Sequence, residues 1–321
     1  MVDVERLLPV VEVTQGGAAS AAPANLLVGS GPPLQIAERV DAHQEVSPEV
    51  SALIDRVSAH LPAEGRLGVA YSGGVDSTTL LAVAVRALSA DRTVAILGVS
   101  PSLATAERAA AHDIAGQIGV GVVEVPTDEG SSEAYRANGP DRCFHCKDEL
   151  FTRIGDDVAV AHGLSAISYG ENADDAVRPD RPGARAATEH LVLRPLADAG
   201  LTKADVRAVA AALGLPNADK PAAPCLASRI PHFKEVTPEK LSQIDRAEAA
   251  VRALGFSDCR VRHHDDVARL ELTDHELARA ADPEVRAALV EGVRAAGFRF
   301  VALDLVGIQS GAFTMPLVTR D

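Results

Sequence analysis

Apolar and polar positions along this chain change rhythm twice. Over residues 1–47 no period is sustained, because Gly16-Gly17-Ala18-Ala19-Ser20-Ala21-Ala22-Pro23 and Gly31-Pro32-Pro33 break it. This predicts a mobile extension, with a short strand at Leu7–Val13 as its one candidate element. From Val50 onward, short apolar runs alternate with stretches of helical spacing. The runs Leu67–Tyr71, Thr93–Val99, Val120–Val125 and Ala166–Tyr169 predict buried strands. The periodic stretches Val50–His60, Ser77–Leu88, Thr105–Ile118, Asp148–His162 and Thr202–Leu213 predict helices, and Gly119 and Gly214 supply stop signals just past two of them. Strands alternating with helices imply βαβ units, hence an α/β fold with a doubly wound parallel sheet whose ligands bind at the carboxyl ends of its strands.

After about Pro231 the rhythm changes again. Glu239–Leu254 predicts a helix ended by Gly255. Arg260–His263 and Val267–Leu272 alternate and predict a hairpin around His264-Asp265-Asp266. Asp274–Ala296 is mostly helical with an interruption near Pro283, and Arg299–Val306 predicts a last strand. The expected organisation is an extension over 1–47, an α/β domain over 48–231 and a smaller α+β domain over 232–321. No internal repeat is present.

Composition narrows the function classes. At 321 residues the chain can bury two cores, and with seven Phe, three Tyr and no Trp those cores must be filled by Ala, Val and Leu. A net charge of −14 speaks against a nucleic-acid partner, which favours a basic surface. No apolar run approaches the roughly 20 residues that span a bilayer, and no basic-then-apolar secretion signal opens the chain. A cytoplasmic protein without a membrane partner is expected. Four Cys in a chain of this length do not form a disulfide framework; metal binding, reactivity or plain burial fits them better.

The strongest chemical signal is Tyr71-Ser72-Gly73-Gly74-Val75-Asp76-Ser77-Thr78, which follows an apolar strand and opens a helix. Gly73 and Gly74 let backbone N–H groups approach an anion closely. Ser72, Ser77 and Thr78 add hydroxyl donors, the helix N-terminus adds partial positive charge, and Asp76 is placed to hold Mg²⁺ against phosphate oxygens. No Gly-Lys-Ser/Thr follows, so this is not a Walker A loop. A bare Gly-Gly would suit an ordinary βα turn with a Ser cap; the full string suits a nucleotide. It resembles the SGGxDS signature of the PP-loop ATP pyrophosphatases, which implies cleavage of ATP between its α- and β-phosphates and adenylation of an oxygen.

The second signal is Cys143-Phe144-His145-Cys146, a CxxC pair expected on a loop, with Cys225 far downstream. Three thiolates suit a [4Fe-4S] cluster with one open iron. With His145 as fourth ligand they suit structural zinc. A redox dithiol and unrelated buried thiols are further readings. Cys259 reads as a small buried hydrophobe.

Taken together, these segments resemble the LarE family of ATP-dependent sulfurtransferases, which act on pyridinium-3,5-biscarboxylic acid mononucleotide. The resemblance runs from about Val50 to Thr314. It rests on Ser72–Thr78, Arg142–Lys147, Gly170-Glu171-Asn172-Ala173-Asp174-Asp175, Arg181-Pro182-Gly183, Arg194-Pro195-Leu196, Pro224-Cys225-Leu226-Ala227-Ser228-Arg229-Ile230, Arg260-Val261-Arg262 and Asp304-Leu305. It implies that ATP adenylates a substrate carboxylate, that sulfur attacks the acyl-adenylate, and that two rounds give the bis-thiocarboxylate precursor of the nickel-pincer cofactor of lactate racemase. It implies Cys143, Cys146 and Cys225 as ligands of a [4Fe-4S] cluster, with Cys225 near the position of the sacrificial cysteine of other members. Asp76 and Cys225 carry the chemistry, and Ser72, Gly73, Gly74, Asp76, Ser77, Thr78 and Asp174 surround ATP and Mg²⁺. Ser228, Arg229, Arg260 and Arg262 would take the substrate phosphate. A sulfur donor and a homo-oligomer, dimeric or hexameric, are implied partners.

Several of these residues also have ordinary explanations. Arg260 and Arg262 alternate on one strand and fit a solvated face, and Arg229 fits a surface charge. Asp174 and Asp175 fit an Asx turn. Glu248 and Glu271 face the substrate pocket by analogy, while Glu248 alone reads as an exposed helix residue. His263 and His264 resemble a hairpin tip. Residues 178–188 read as a mobile loop over the site. Glu171 departs from the small or hydroxyl residue expected after Gly170. A tRNA-thiolating enzyme of the same superfamily and a zinc-stabilised nucleotide-binding regulator are the alternative functions.

Overall fold

The structure is a computed structural model that describes residues 46–177 and 182–308. The expected extension up to residue 45, including the candidate strand Leu7–Val13, lies outside the described residues. So do residues 178–181 and 309–321.

Helix α1 (Pro48–Ser58) opens the described chain, and the Ser47 hydroxyl accepts from the Val50 N–H at its start. Strands β1 (Arg66–Ala70), β2 (Thr93–Val99), β3 (Val122–Pro126) and β4 (Leu164–Tyr169) form a parallel sheet in the order β3-β2-β1-β4. The order reverses between β1 and β4, the switch point at whose carboxyl ends such sheets bind ligands. Alternate residues of the strands feed two cores. Leu67, Val69, Ala95 and Leu97 pack under α1, α2 (Val75–Leu88), α3 (Thr105–Ile118) and α6 (Lys203–Ala212). Val94, Ile96, Val123 and Val125 pack on the other face against Phe151, Ile154 and Val158. The doubly wound parallel sheet read from the sequence is therefore present. The stop expected at Gly119 is realised: its φ is +89°, and Val120 N–H donates to Ala115 C=O at 3.0 Å across the helix end.

Two expectations are corrected here. The helix expected from Asp148 begins at Arg142: α4 spans Arg142–Arg153 and continues through a π-helical turn at Ile154–Val158 to Ala159–His162. The CxxC pair is thus on the first turns of a helix and not on a loop. Arg142–Lys147 lacks apolar spacing, which hid the helix from its pattern. Within the stretch read as a mobile loop, Pro182–Glu189 is helix α5. It packs on α4, where the Arg185 guanidinium lies 3.7 Å from the centre of the Phe144 ring.

The second sheet holds β5 (Cys259–His264), β6 (Val267–Leu272) and β7 (Phe300–Leu303). β5 and β6 form the expected hairpin, with Asp265 at φ +53° in its turn. β7 adds parallel to β6 after the crossover helix α8 (Pro283–Ala295). Helix α7 (Pro238–Ala253) and α8 cover this sheet around Val251, Phe256, Val261, Leu270, Leu289 and Phe298. A further buried cluster joins Ala104 and Tyr135 to Leu226, Ala227, Ile230, Val236, Leu241 and Ile244, so it runs across residues 231–232.

Candidate active site

The turn after β1 is held in shape before any ligand arrives. Tyr71 is buried, and its hydroxyl donates to Ala111 C=O at 3.0 Å. Gly73 sits at φ +71° with its Cα against α3; a Cβ there would lie 3.1 Å from that of Ala111. Ser72 N–H donates to Ser77 Oγ at 3.1 Å, and Ser77 Oγ donates to Gly74 C=O at 3.1 Å. The buried Asn217 amide donates to Gly73 C=O and to Thr78 Oγ1, both at 2.9 Å. Gly74 is the N-cap of α2 and has no side chain to fill that role, so the first N–H groups of the helix face the crevice. Gly170, after β4, closes on the same helix start: a Cβ on it would be 2.5 Å from Ser77 N.

Asp76 points to a network that sequence spacing did not reveal. It accepts from the Lys203 ammonium at 2.5 Å and from the Asn172 amide at 3.1 Å. Lys203 is the first residue of α6, where Thr202 and Asp205 form a capping box, and its N–H donates to Asp174 at 2.8 Å. The cap Thr202-x-x-Asp205 was legible as a helix start, but nothing local told that Lys203 reaches back to Asp76. The Asx-type turn expected at Asp174 and Asp175 is made by Asn172, whose side chain accepts from Asp175 N–H at 3.0 Å. Asp174 itself is exposed and tied to α6. Glu171, the departure noted above, is 4% exposed and lies 3.5 Å from Arg194.

A cavity of about 320 Å³ opens in front of the loop. Ser72, Gly74, Asp76 and Ser77 form one wall, and Leu97, Gly98, Leu150 and Phe151 form an apolar one. Cys146 and Cys225 line the same space. Cys143 lies about one helical turn before Cys146 on α4 and is exposed, as is Cys225. Arg142 is buried between these segments and donates to Asn138 and to Ala227 C=O, which ties the Cys225 segment to α4. Burial opposes its charge, but Cys225, Cys143 and Tyr135 beside it outweigh that and raise its pKa. Burial, then Glu129, Cys225 and Cys143, push the Cys146 thiol well above its ordinary range. Cys143 and Cys225 thus both lie near enough to Cys146 to act on its thiol. His145 turns to Asp141 at 3.2 Å. Among the described residues, no three His, Cys, Asp or Glu side chains close on a single-ion site. Cys259 is fully buried, and burial pushes its thiol up to about 12.

The arginines correct the sequence reading most. Arg229, Arg260 and Arg262 are each 3% exposed, so neither a solvated face nor a surface charge describes them. Glu248, at 0%, is not the exposed helix residue that its sequence suggested, and Glu271 is equally buried. Arg229 forks onto Glu248 at 2.8 and 3.3 Å and donates to Pro224 C=O and to Ser228 Oγ. Arg262 forks onto Glu271 at 2.9 and 2.7 Å and donates to Ser228 C=O. Burial works to raise the Glu248 pKa, but Arg229, the Val261 N–H and Arg252 hold it below the usual carboxylate range. Arg260 differs: it donates to Ala222 C=O, and the carboxylate beside it, Asp258, is 3.7 Å away. Burial and the neighbouring Arg229 pull its pKa down. Arg229 and Arg252 share Glu248, Arg262 and Arg269 share Glu271, and Arg260 pairs with neither of these buried carboxylates. Ser228 is half-buried between the two forks. His263 and His264 close β5 beside the hairpin turn, with His263 5% exposed and its ring edge-on to Phe298.

Residues 50–147 match the asparagine synthase family model. A pyridinium-3,5-bisthiocarboxylic acid mononucleotide synthase of Lactiplantibacillus plantarum is 35% identical over 247 residues, 77% of this chain and 88% of that protein. The chain belongs to the LarE family of ATP-using sulfurtransferases. An uncharacterized protein of Synechocystis sp. is 42% identical over 76% of this chain and 90% of that protein. An uncharacterized protein of Methanocaldococcus jannaschii is 26% identical over 74% and 88% respectively. No helix among the described residues is long and apolar enough to cross a membrane.

Within this LarE-family chain, the structure brings Ser72, Gly74, Asp76, Ser77, Cys146 and Cys225 to one cavity. Thr78 is buried behind it on Asn217. Ser228, Arg229, Arg260 and Arg262 gather beside the Cys225 segment through Pro224, Ser228 and Ala222. Lys203, Asn172, Asn217 and Glu129 are the residues that sequence reasoning missed. Of these, Glu129 is 3% exposed, with one oxygen held by Ser100 and the other without a partner.

Proposed function

We propose that this chain adenylates the carboxylates of pyridinium-3,5-biscarboxylic acid mononucleotide with ATP and converts them to thiocarboxylates, on the route to the nickel-pincer cofactor of lactate racemase. The observation that carries this is the sharing of one cavity by the phosphate loop and two of the three thiols. A carboxylate is a poor electrophile, because oxide would have to leave. A carboxylate oxygen attacks the α-phosphorus, the bond to the β-phosphate oxygen breaks, and pyrophosphate leaves. The resulting mixed anhydride loses AMP when sulfur attacks its acyl carbon. Phosphate oxygens rest on the first N–H groups of α2 and on Ser72 and Ser77. The loop needs little rearrangement, since Asn217, Gly73 and Gly170 already fix it.

Asp76 faces the cavity and would hold Mg²⁺, which when bound neutralises charge at the phosphate oxygens. Lys203 and Asn172 orient that carboxylate, and Asp174 fixes Lys203. Cys143, Cys146 and Cys225 would hold a [4Fe-4S] cluster. Cys146 and Cys225 line one cavity and Cys143 lies about one helical turn before Cys146, a three-thiol set of the kind that holds such a cluster. When bound, that cluster supplies an iron-held sulfur nucleophile, replenished by an external sulfur donor. Arg260 takes the substrate phosphate, while Arg229 and Arg262, already forked on carboxylates, hold Ser228 in place for it. The assembly is a dimer or hexamer in the cytoplasm, by likeness to the family.

Anaerobic purification with ATP, Mg²⁺ and the mononucleotide tests this. Substrate-dependent pyrophosphate release is expected, together with about four iron and four sulfide per chain. Cys225→Ala is expected to keep pyrophosphate release and lose thiocarboxylate. Full sulfur transfer by that variant would sink the proposal for the thiols.

A further inference from the structure

Glu129 is a buried carboxylate to which the steps above give no role. It stands three residues beyond β3, beside the end of β2, where Ser100 donates to its Oε1 at 2.5 Å. Its Oε2 is closed to water and has no hydrogen-bond partner, and Glu129 enters no ion pair among the described residues. Buried polar atoms are ordinarily satisfied, and a buried charge ordinarily has a partner.

Glu129 forms part of the wall of two cavities. One is the cavity of the phosphate loop, Cys146 and Cys225. The other holds about 240 Å³ between Ser102, Tyr135 and Val236, and no Lys, Arg or His among the described residues lines it. No lining cation therefore meets the carboxylate from that side. On the first side the Lys147 ammonium lies over the Tyr169 ring, 4.2 Å from its centre. The charge of Glu129 is nonetheless felt there. After burial, it is the foremost group that pushes the Cys146 thiol up. A carboxylate beside thiols opposes thiolate formation, so its place there calls for a cation that arrives with a ligand.

The substrate proposed above brings such a cation. Sulfur attacks an acyl carbon, and that carbon is bonded directly to a pyridinium ring. Wherever the thiol region reaches the acyl carbon, the ring charge is no more than a ring's width away. The ring nitrogen carries the ribose and has no N–H. Its charge can be met only through space, by an anion or an aromatic face.

We propose that Glu129 is the specificity residue that recognises the positive charge of the pyridinium ring. This rests on the substrate reading of the proposed function. The carboxylate makes no bond to the ring and takes no proton. It favours a ring that carries charge over a ring of the same outline that carries none.

The test is calorimetric binding of two ligands to the full-length protein. One is pyridinium-3,5-biscarboxylic acid mononucleotide. The other is the 3,5-dicarboxyphenyl C-riboside phosphate, which has the same outline and a neutral ring. The wild type is expected to bind the pyridinium ligand at least about 10-fold more tightly, the order of one charge pair at the effective dielectric constant of a protein. Glu129→Gln keeps the shape and an acceptor for Ser100. It should weaken the pyridinium ligand by about 10-fold or more and leave the neutral one within about threefold. Glu129→Asp, which keeps the charge, should retain part of the preference. Equal losses for both ligands in Glu129→Gln would overturn the proposal, since a structural role ignores ring charge. So would a wild type that binds both ligands alike, a comparison that needs no variant and holds even if Glu129→Gln misfolds. A wild type that binds neither ligand would overturn the substrate reading and this inference with it. The other two failures leave that reading standing.

Discussion

Arg260 and Arg229 lie in one buried region and make opposite predictions. Arg229 is matched by Glu248 in a bidentate fork, and Arg260 has only a carboxylate at 3.7 Å. Arg260→Gln removes the guanidinium proposed above to take the substrate phosphate. It is expected to raise the KM for the mononucleotide by roughly 10-fold to 100-fold, in line with a charge-assisted contact of about 1.5–3 kcal/mol. Unfolding in denaturant should change little. Glu248→Gln instead strands the Arg229 charge in the interior. Breaking a buried pair this way costs about 3–5 kcal/mol, so its denaturation midpoint should fall sharply. The two variants thus separate binding from stability within one buried region. The sequence marked all three arginines as phosphate candidates and left their burial open. Nothing near Arg229 announces a carboxylate 19 residues on, because the pairing exists only once α7 lies against the Cys225 segment.

At the scale of elements, what could be read was whatever repeats locally. Thr93–Val99 and Thr105–Ile118 have the same limits in sequence and structure, since apolar runs, helical spacing and a glycine stop specify them without help. The phosphate loop was legible as strand, turn and helix for the same reason. The parts that hold it were not. Asn217 and Lys203 come from segments far along the chain, and Gly170 is informative only because its neighbour in space is Ser77 N. Helix α4 shows the converse. Its first turns carry Cys143, Cys146, Lys147 and the buried Arg142, so chemistry displaced the apolar pattern and made the helix seem to begin late. Gly170→Ala tests the loop's support. A Cβ at 2.5 Å from a backbone nitrogen cannot be relieved by a side-chain rotation, so β4 or the loop must shift. The affinity for ATP, measured by calorimetry, should drop by at least about 10-fold, as misplacement of a preformed site costs more than one hydrogen bond. Secondary structure by circular dichroism should be unchanged.

For the whole molecule, the question is whether the two sheets behave as separable units. Each has a core of its own. The division expected at residues 231 and 232 nevertheless falls within a third buried cluster, where Leu226, Ala227 and Ile230 meet Val236, Leu241 and Ile244. The ion pair of Arg229 with Glu248 and the bond from Arg262 to Ser228 C=O cross at the same place. Cutting there would expose several aliphatic side chains, each worth roughly 1.5–3 kcal/mol of burial, and would leave Arg229 buried without its partner. The total is comparable with the stability of an ordinary domain, about 5–15 kcal/mol. We therefore expect the fragment 46–231 to bind ATP poorly and aggregate, although it contains the entire phosphate loop. Full-length protein should unfold in urea as one transition when followed by far-ultraviolet circular dichroism and by accessibility of the Cys259 thiol, which is buried in the second core. Two separated transitions, or a fragment that binds ATP as tightly as the whole chain, would mean that the seam between the sheets contributes little. Coincident transitions would mean that the buried arginine region and the phosphate loop are parts of one cooperative unit, as the proposed joining of a carboxylate to AMP would require of the two halves of its site.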